Sequence, residues 1–149
     1  MNIYLDTCCL NHPFDDQTQE RIRLESEAVI LILAHVQNRS WRWIGSDMLH
    51  YEVSQIADHE RCYRILALME HVDETTSIDS AITKRTVELE YLGFRTYDAM
   101  HIAAAEATNV DVFLTTDDRL LRLAARLESR IFVAVKNPLS WLSEDDNDS

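Results

Sequence analysis

Apolar positions along the chain recur in two rhythms. Short runs with few polar interruptions, NIYL at 2–5, WRWIG at 41–45, VDVFLT at 110–115 and IFVAV at 131–135, have the length and the β-branched or aromatic content of buried strands. A weaker fifth candidate falls at 73–77. Between these runs the spacing changes to the three-and-four rhythm of helices, which predicts helices over 18–37, 46–57, 59–71, 79–92, 97–107 and 118–128. Ser46 is placed to cap the second of these and Thr96 to cap the fifth, while Gly93 stops the fourth. Within the first, AVILIL at 28–33 is too continuously apolar for a helix with one wet face. That pattern predicts burial on more than one side, either as a central core helix or as a partner interface. The stretch CCLNHPFDDQ at 8–17, with Pro13 inside it, reads as a loop running into a helix start.

Strands separated by helices require crossover connections and therefore parallel pairing. The expected architecture is an α/β protein, a three-layer α/β/α sandwich around a five-stranded parallel sheet, occupying residues 1–143, with a disordered acidic tail at 144–149. In such sheets ligands bind beyond the carboxyl ends of the strands. Two acids, Asp6 and Asp117, follow two of the predicted strands.

Composition narrows the chemistry. With 149 residues, 46% of them hydrophobic, the chain can bury one domain's core without disulfides. Cys8, Cys9 and Cys62 are an odd set, expected as free thiols. No export signal or membrane span is read in the chain, so a cytoplasmic location is expected. Only Gly45 and Gly93 are glycines, which removes the raw material of P-loops and dinucleotide fingerprints. The 26 acids against 14 Lys and Arg, a net charge of -12, argue against a nonspecific nucleic-acid coat. The excess is a solvated acidic surface or, in part, a site that cations would neutralise.

Four acids stand at punctuation points: Asp6 after the first strand, Glu52 on the helix launched by Ser46, Asp98 in a first helical turn, and Asp117 after VFLT. Gathered into one cleft, they would form an oxygen cage for Mg2+ or Mn2+. Such ions clamp a phosphodiester and lower the pKa of a water, so no side-chain nucleophile is needed. Taken singly, each acid is more ordinarily a cap or a solvated turn, and Asp98 and Asp117 are also favoured where they stand by the helix macrodipole. The combination carries the reading.

The opening IYLDT, the SDMLHYE segment, the helix YDAMHIAAAEA and LTTDDRLL occur in one order over residues 2–121. Together they resemble the PIN-domain nucleases, including toxin ribonucleases of bacterial toxin–antitoxin pairs. The resemblance implies that Asp6, Glu52, Asp98 and Asp117 form the acidic metal site and that Thr115 orients it. It also implies Mg2+ or Mn2+ dependence, single-stranded RNA as substrate, an antitoxin protein as partner, and frequently a homodimer. The chain departs from the common pattern where CCLNHPFDDQ follows Asp6, since many relatives pass from that Asp directly into a helix.

Other residues keep two readings. Asn11 bonds a phosphate or shapes its turn; Asp118 shares a second metal or caps its helix. His101, one turn after Asp98, orients that carboxylate or packs in the core. Trp41 and Trp43 are core residues or stacking surfaces, and Arg119, Arg122, Arg126 and Arg130 grip RNA backbone or line a solvated face. The competing function is a PIN-fold module that binds proteins and is catalytically weak. A receiver-type phosphoryl-transfer domain is disfavoured, because Asp6-Thr7-Cys8 lacks a second Asp.

Overall fold

The computed structural model describes residues 1–148, with side chains through 144; the end of the expected acidic tail lies outside the described residues. Five strands, β1 (Asn2–Leu5), β2 (Arg42–Ser46), β3 (Glu74–Thr76), β4 (Val112–Leu114) and β5 (Val135–Lys136), form one sheet in the order β3-β2-β1-β4-β5. Every pairing is parallel. The α/β/α sandwich and its five-stranded parallel sheet are thus as expected.

The strand alternation builds both halves of the core. Ile3, Leu5, Trp43, Val112 and Leu114 face one layer, made by α1 (Thr7–Asn11), α2 (Glu20–Gln37), α3 (Asp47–Ser54), α4 (His59–Leu68) and α8 (Pro138–Asp148). Tyr4, Ile44 and Phe113 point the other way, into α5 (Ser80–Tyr91), α6 (Thr96–Ala107) and α7 (Asp118–Arg126). Each fully buried side chain of this size contributes roughly 1.5–3 kcal/mol. Trp43 is wholly buried and Trp41 packs against the same cluster, which settles the tryptophans as core residues.

Connections run outward from β1 through β2 to β3, then from β4 to β5 on the other side. The chain therefore reverses direction between β1 and β4, and the crevice at their carboxyl ends is where such sheets bind ligands. Asp6 leaves β1 and Asp117 follows β4 at that crevice, and the Asp6 amide donates to the Leu114 carbonyl at 2.9 Å.

Four local expectations are corrected. The stretch after Asp6 is not a loop: α1 begins at Thr7, and a 3-10 turn follows at His12–Phe14. Asp6 caps α1 by accepting from the Thr7 amide, and Pro13 sits at the start of the 3-10 turn, where its missing N–H costs nothing. The departure from the direct Asp-to-helix pattern consequently disappears.

The AVILIL helix is wet on one side, with Ile30 55% and Leu31 56% exposed, because Ala28, Val29, Ile32 and Leu33 alone reach the core. Thr96 does not cap α6; Arg95 holds the cap position, and the Thr96 hydroxyl donates to Glu90. The fifth strand lies later than IFVAV predicts, since Phe132 turns out to solvent and pairing with β4 begins only at Val135. The fourth predicted helix ends as expected, at Gly93, whose φ of 115° favours glycine.

Candidate metal site

Each of the four acids is held by local structure. The Asp6 carboxylate accepts from the Thr7 amide at 2.8 Å and from the Thr115 hydroxyl at 2.8 Å, and it is 7% exposed. Thr115 is itself fixed, because its hydroxyl accepts from the Asp117 amide at 3.1 Å. One hydroxyl thereby ties together the two acids at the ends of β1 and β4. Asp117 caps α7 through one oxygen, which accepts from the Arg119 and Leu120 amides. Its other oxygen has no partner among the described residues.

Glu52 projects from α3, whose first turn is capped by Ser46: the hydroxyl accepts from the Leu49 amide at 3.1 Å. Glu52 is gripped by His101, whose Nε2 meets Oε1. His101 Nδ1 lies 2.6 Å from the Tyr4 hydroxyl, which lies 2.6 Å from Ser46 Oγ. One assignment of protons satisfies the whole buried chain: Ser46 donates to Tyr4, Tyr4 donates to Nδ1, and Nε2–H donates to Glu52. Burial pushes the Tyr4 hydroxyl well above its ordinary range, so it remains protonated. Burial works against a charge on the His101 ring, but the bond to Glu52 and the nearby Asp6 leave its pKa raised.

Asp98, in the first turn of α6, has no hydrogen-bond partner among the described residues. Burial raises its pKa to about 6, and the negative charges of Asp6, Asp117 and Glu52 add to the rise, partly offset by His101. Those like charges act on Asp98 because the fold brings all four acids into one neighbourhood. Ligand atoms of Asp6, Glu52 and His101 lie within 4.8 Å of one another. His101 is nevertheless a poor ligand, because both ring nitrogens are already engaged.

Oxygen donors with spare lone pairs suit hard divalent ions. Among the described residues, no Lys or Arg forms an ion pair with Asp6, Asp98 or Asp117. Among the described residues the four acids thus outnumber the one group beside them that can carry positive charge, His101, and their oxygens are of the type a hard cation takes.

The supporting candidates divide. Thr115 and Ser46 both sit inside the network. Asn11 shapes its turn, donating to the Thr7 carbonyl at 3.3 Å and accepting from Arg61 at 3.5 Å. Asp118 is clasped by the two terminal nitrogens of Arg21 at 2.7 and 2.5 Å. Sequence reasoning missed Tyr4; of the two readings of His101 the structure shows the core one, with the ring buried and its bonds going to Tyr4 and Glu52 rather than to Asp98. A polar hydroxyl at the centre of the apolar run NIYL was the available signal, since a buried tyrosine oxygen demands a partner. Cys8 was also missed: its Sγ lies 3.4 Å from the Asp6 carboxylate and 3.3 Å from Thr115.

The PIN domain family model matches residues 3–126. No curated protein matches by sequence. Among solved structures, the chain is similar to VapBC2 from Rickettsia felis, described as bound to a DNA fragment from their promoter. The TM-score is 0.58 at 16% identity, covering 92% of this chain and 98% of that one. It is also similar to VapBC-1 from nontypeable Haemophilus influenzae, with TM-score 0.59, 15% identity and coverage of 93% and 98%. DNA-bound VapBC from Salmonella typhimurium gives TM-score 0.54, 18% identity and coverage of 93% and 98%. At these identities the structural likeness speaks for the fold alone, whereas the family match spans all four acids. The chain belongs to the PIN domain family of nucleases.

Proposed function

We propose that the protein is a divalent-metal-dependent ribonuclease that hydrolyses phosphodiester bonds in single-stranded RNA, and that it is the toxin of a toxin–antitoxin pair. The observation that carries the nuclease reading is the convergence of Asp6, Glu52, Asp98 and Asp117 in one neighbourhood, where among the described residues no Lys or Arg pairs with any of them and His101 is bonded to Glu52 alone. The antitoxin partner is supported by the fold-level likeness to VapBC complexes.

In this reading Asp6, Asp98, Asp117 and Glu52 hold Mg2+ or Mn2+. The ion supplies Lewis acidity toward the phosphodiester and a water of lowered pKa. Thr115 and the Thr7 amide fix Asp6, and the α7 amides fix one oxygen of Asp117 while leaving the other available. His101 restrains the carboxylate of Glu52. In the metal-free protein, burial and the charges of Asp6, Asp117 and Glu52 push the Asp98 pKa up to about 6, a rise that a bound cation would oppose.

Replacing Asp6 or Asp117 by Asn keeps the size of the side chain and removes a charged ligand. Each variant is expected to lose at least about a hundredfold of Mn2+-dependent RNA cleavage, a loss of the order seen when a key electrostatic group is removed. An unchanged cleavage rate, or no RNA cleavage by the wild type with Mn2+, defeats the nuclease reading. The second reading, a catalytically weak protein-binding module, is favoured by the exposed pair Ile30 and Leu31 on α2. Mn2+ titration separates the two, because the module reading expects no metal affinity alongside tight partner binding.

A further inference from the structure

The nuclease reading leaves a physical difficulty: a chain of net charge -12 has to hold a polyanion. The positive charge that could do so is concentrated. A groove of about 760 Å³ runs between the end of α5 and α7, lined by Leu92, Gly93, Arg119, Arg122, Leu123 and Arg126, with no acid in its wall. The three arginines follow the i, i+3, i+7 spacing of one helix face. From Arg119 to Arg126 the helix rises roughly 10 Å.

None of the three forms an ion pair among the described residues; the adjacent Asp118, within the field of Arg122, is clasped by Arg21 instead. Like charges kept together without acidic partners repel one another, and an anionic ligand relieves that cost. The face is rigid, since Leu120 and Ala124 on the opposite side of α7 are buried in the core. Guanidinium groups match phosphate oxygens in geometry as well as charge. The groove floor is apolar: a Cβ on Gly93 would meet only Leu123, 3.8 Å away, and Leu92 and Leu123 offer a surface for ribose or a base face.

Continuity with the acids fixes the direction. Arg119 opens this face, and its backbone amide already donates to Asp117 at 2.9 Å. A strand lying along α7 is thereby delivered to the carboxyl ends of β1 and β4.

We propose that the α5/α7 groove is a track for the sugar-phosphate backbone of single-stranded RNA, leading to the acid site at Asp117. The proposal rests on the nuclease reading for the identity of the ligand, and its test does not depend on cleavage. The probe is a labelled single-stranded RNA of about a dozen nucleotides. Its binding is followed by fluorescence anisotropy across a KCl series, in EDTA and again in Ca2+.

Neutralising three phosphate contacts contributes a slope of about -0.7 each to log K against log salt, so R119Q/R122Q/R126Q is expected to flatten the slope by about 2. Affinity at low salt is expected to fall at least about tenfold. The triple Arg→Lys variant is expected to keep the wild-type slope. Arg126→Gln alone, a milder change, is expected to flatten it by about 0.7. Circular dichroism melts report whether each variant is folded.

Unchanged slopes in the Gln variants overturn the proposal. So does absence of wild-type binding in both EDTA and Ca2+, or preferential capture of a polyglutamate peptide over the RNA. Hydrolysis of bis(p-nitrophenyl) phosphate with Mn2+ tests the acid site separately. The wild-type protein is expected to hydrolyse that small diester. Failure of the wild type to do so counts against the nuclease reading while leaving the groove result intact.

Discussion

At the scale of single residues, the least expected feature is the buried chain from Ser46 through Tyr4 and His101 to Glu52. Three of its members add no carboxylate to the acid cluster, yet they hold Glu52 in place. Tyr4→Phe removes the donor to His101 Nδ1 and should cost about 1–3 kcal/mol in urea unfolding, the penalty of a buried group left unpaired. His101→Ala also opens a cavity and should cost about 2–4 kcal/mol. His101→Gln keeps an N–H donor for Glu52, and it is expected to retain more Mn2+-dependent cleavage than His101→Ala. Equal activity in the two variants would show that the ring only fills space. None of these links was readable from the sequence, because Tyr4 and His101 are 97 positions apart and periodicity carries no information about such pairs. Asp6 and Asp117 stood out in the sequence because strand ends and capping positions have local signatures: both follow apolar runs and cap the helices after them.

At the scale of elements, two of the errors have a common cause: apolarity was equated with burial. IFVAV has the composition of a strand, but Phe132 is 77% exposed and the sheet is joined only at Val135 and Lys136. AVILIL has the composition of a central helix, yet it packs on one face only. Since Ile30 and Leu31 are each more than half exposed among the described residues, replacing both by Lys should change monomer stability by no more than about 0.5 kcal/mol in denaturant titration. A much larger loss would mean that the α2 face is covered in the folded protein. Ser46→Ala is expected to behave in the opposite manner. It removes the α3 cap and a partner of Tyr4 together, for about 1–2 kcal/mol. Because α3 carries Glu52, the same change should weaken Mn2+ binding, which calorimetric titration would detect.

At the scale of the whole molecule, the neighbouring acids repel one another, as the raised pKa of Asp98 records, and this gives the expected sign of the pH dependence. Asp98 has a folded pKa of about 6 against an ordinary value of 3.8. Between those two values the folded protein binds more protons than the unfolded chain, so the contribution of this group to stability falls as pH rises through that window. Once Asp98 has lost its proton, about a unit above that pKa, a divalent ion should stabilise the fold by RT ln(1 + [L]/Kd), about 2.7 kcal/mol when the ion is at a hundred times its Kd. Thermal melts of metal-free protein should therefore show a component that declines from about pH 4 to about pH 7, and Mn2+ should raise the melting temperature more at pH 7.5 than at pH 5. Asp98→Asn abolishes the titrating group and lowers the repulsion, so its metal-free melts should be flatter across the window and its gain from Mn2+ smaller. Raising KCl should mimic only part of the metal effect, because screening acts weakly on a partly buried cluster. A wild-type Mn2+ effect of equal size at both pH values would separate the metal from Asp98, and it would place the cation elsewhere on this acidic surface.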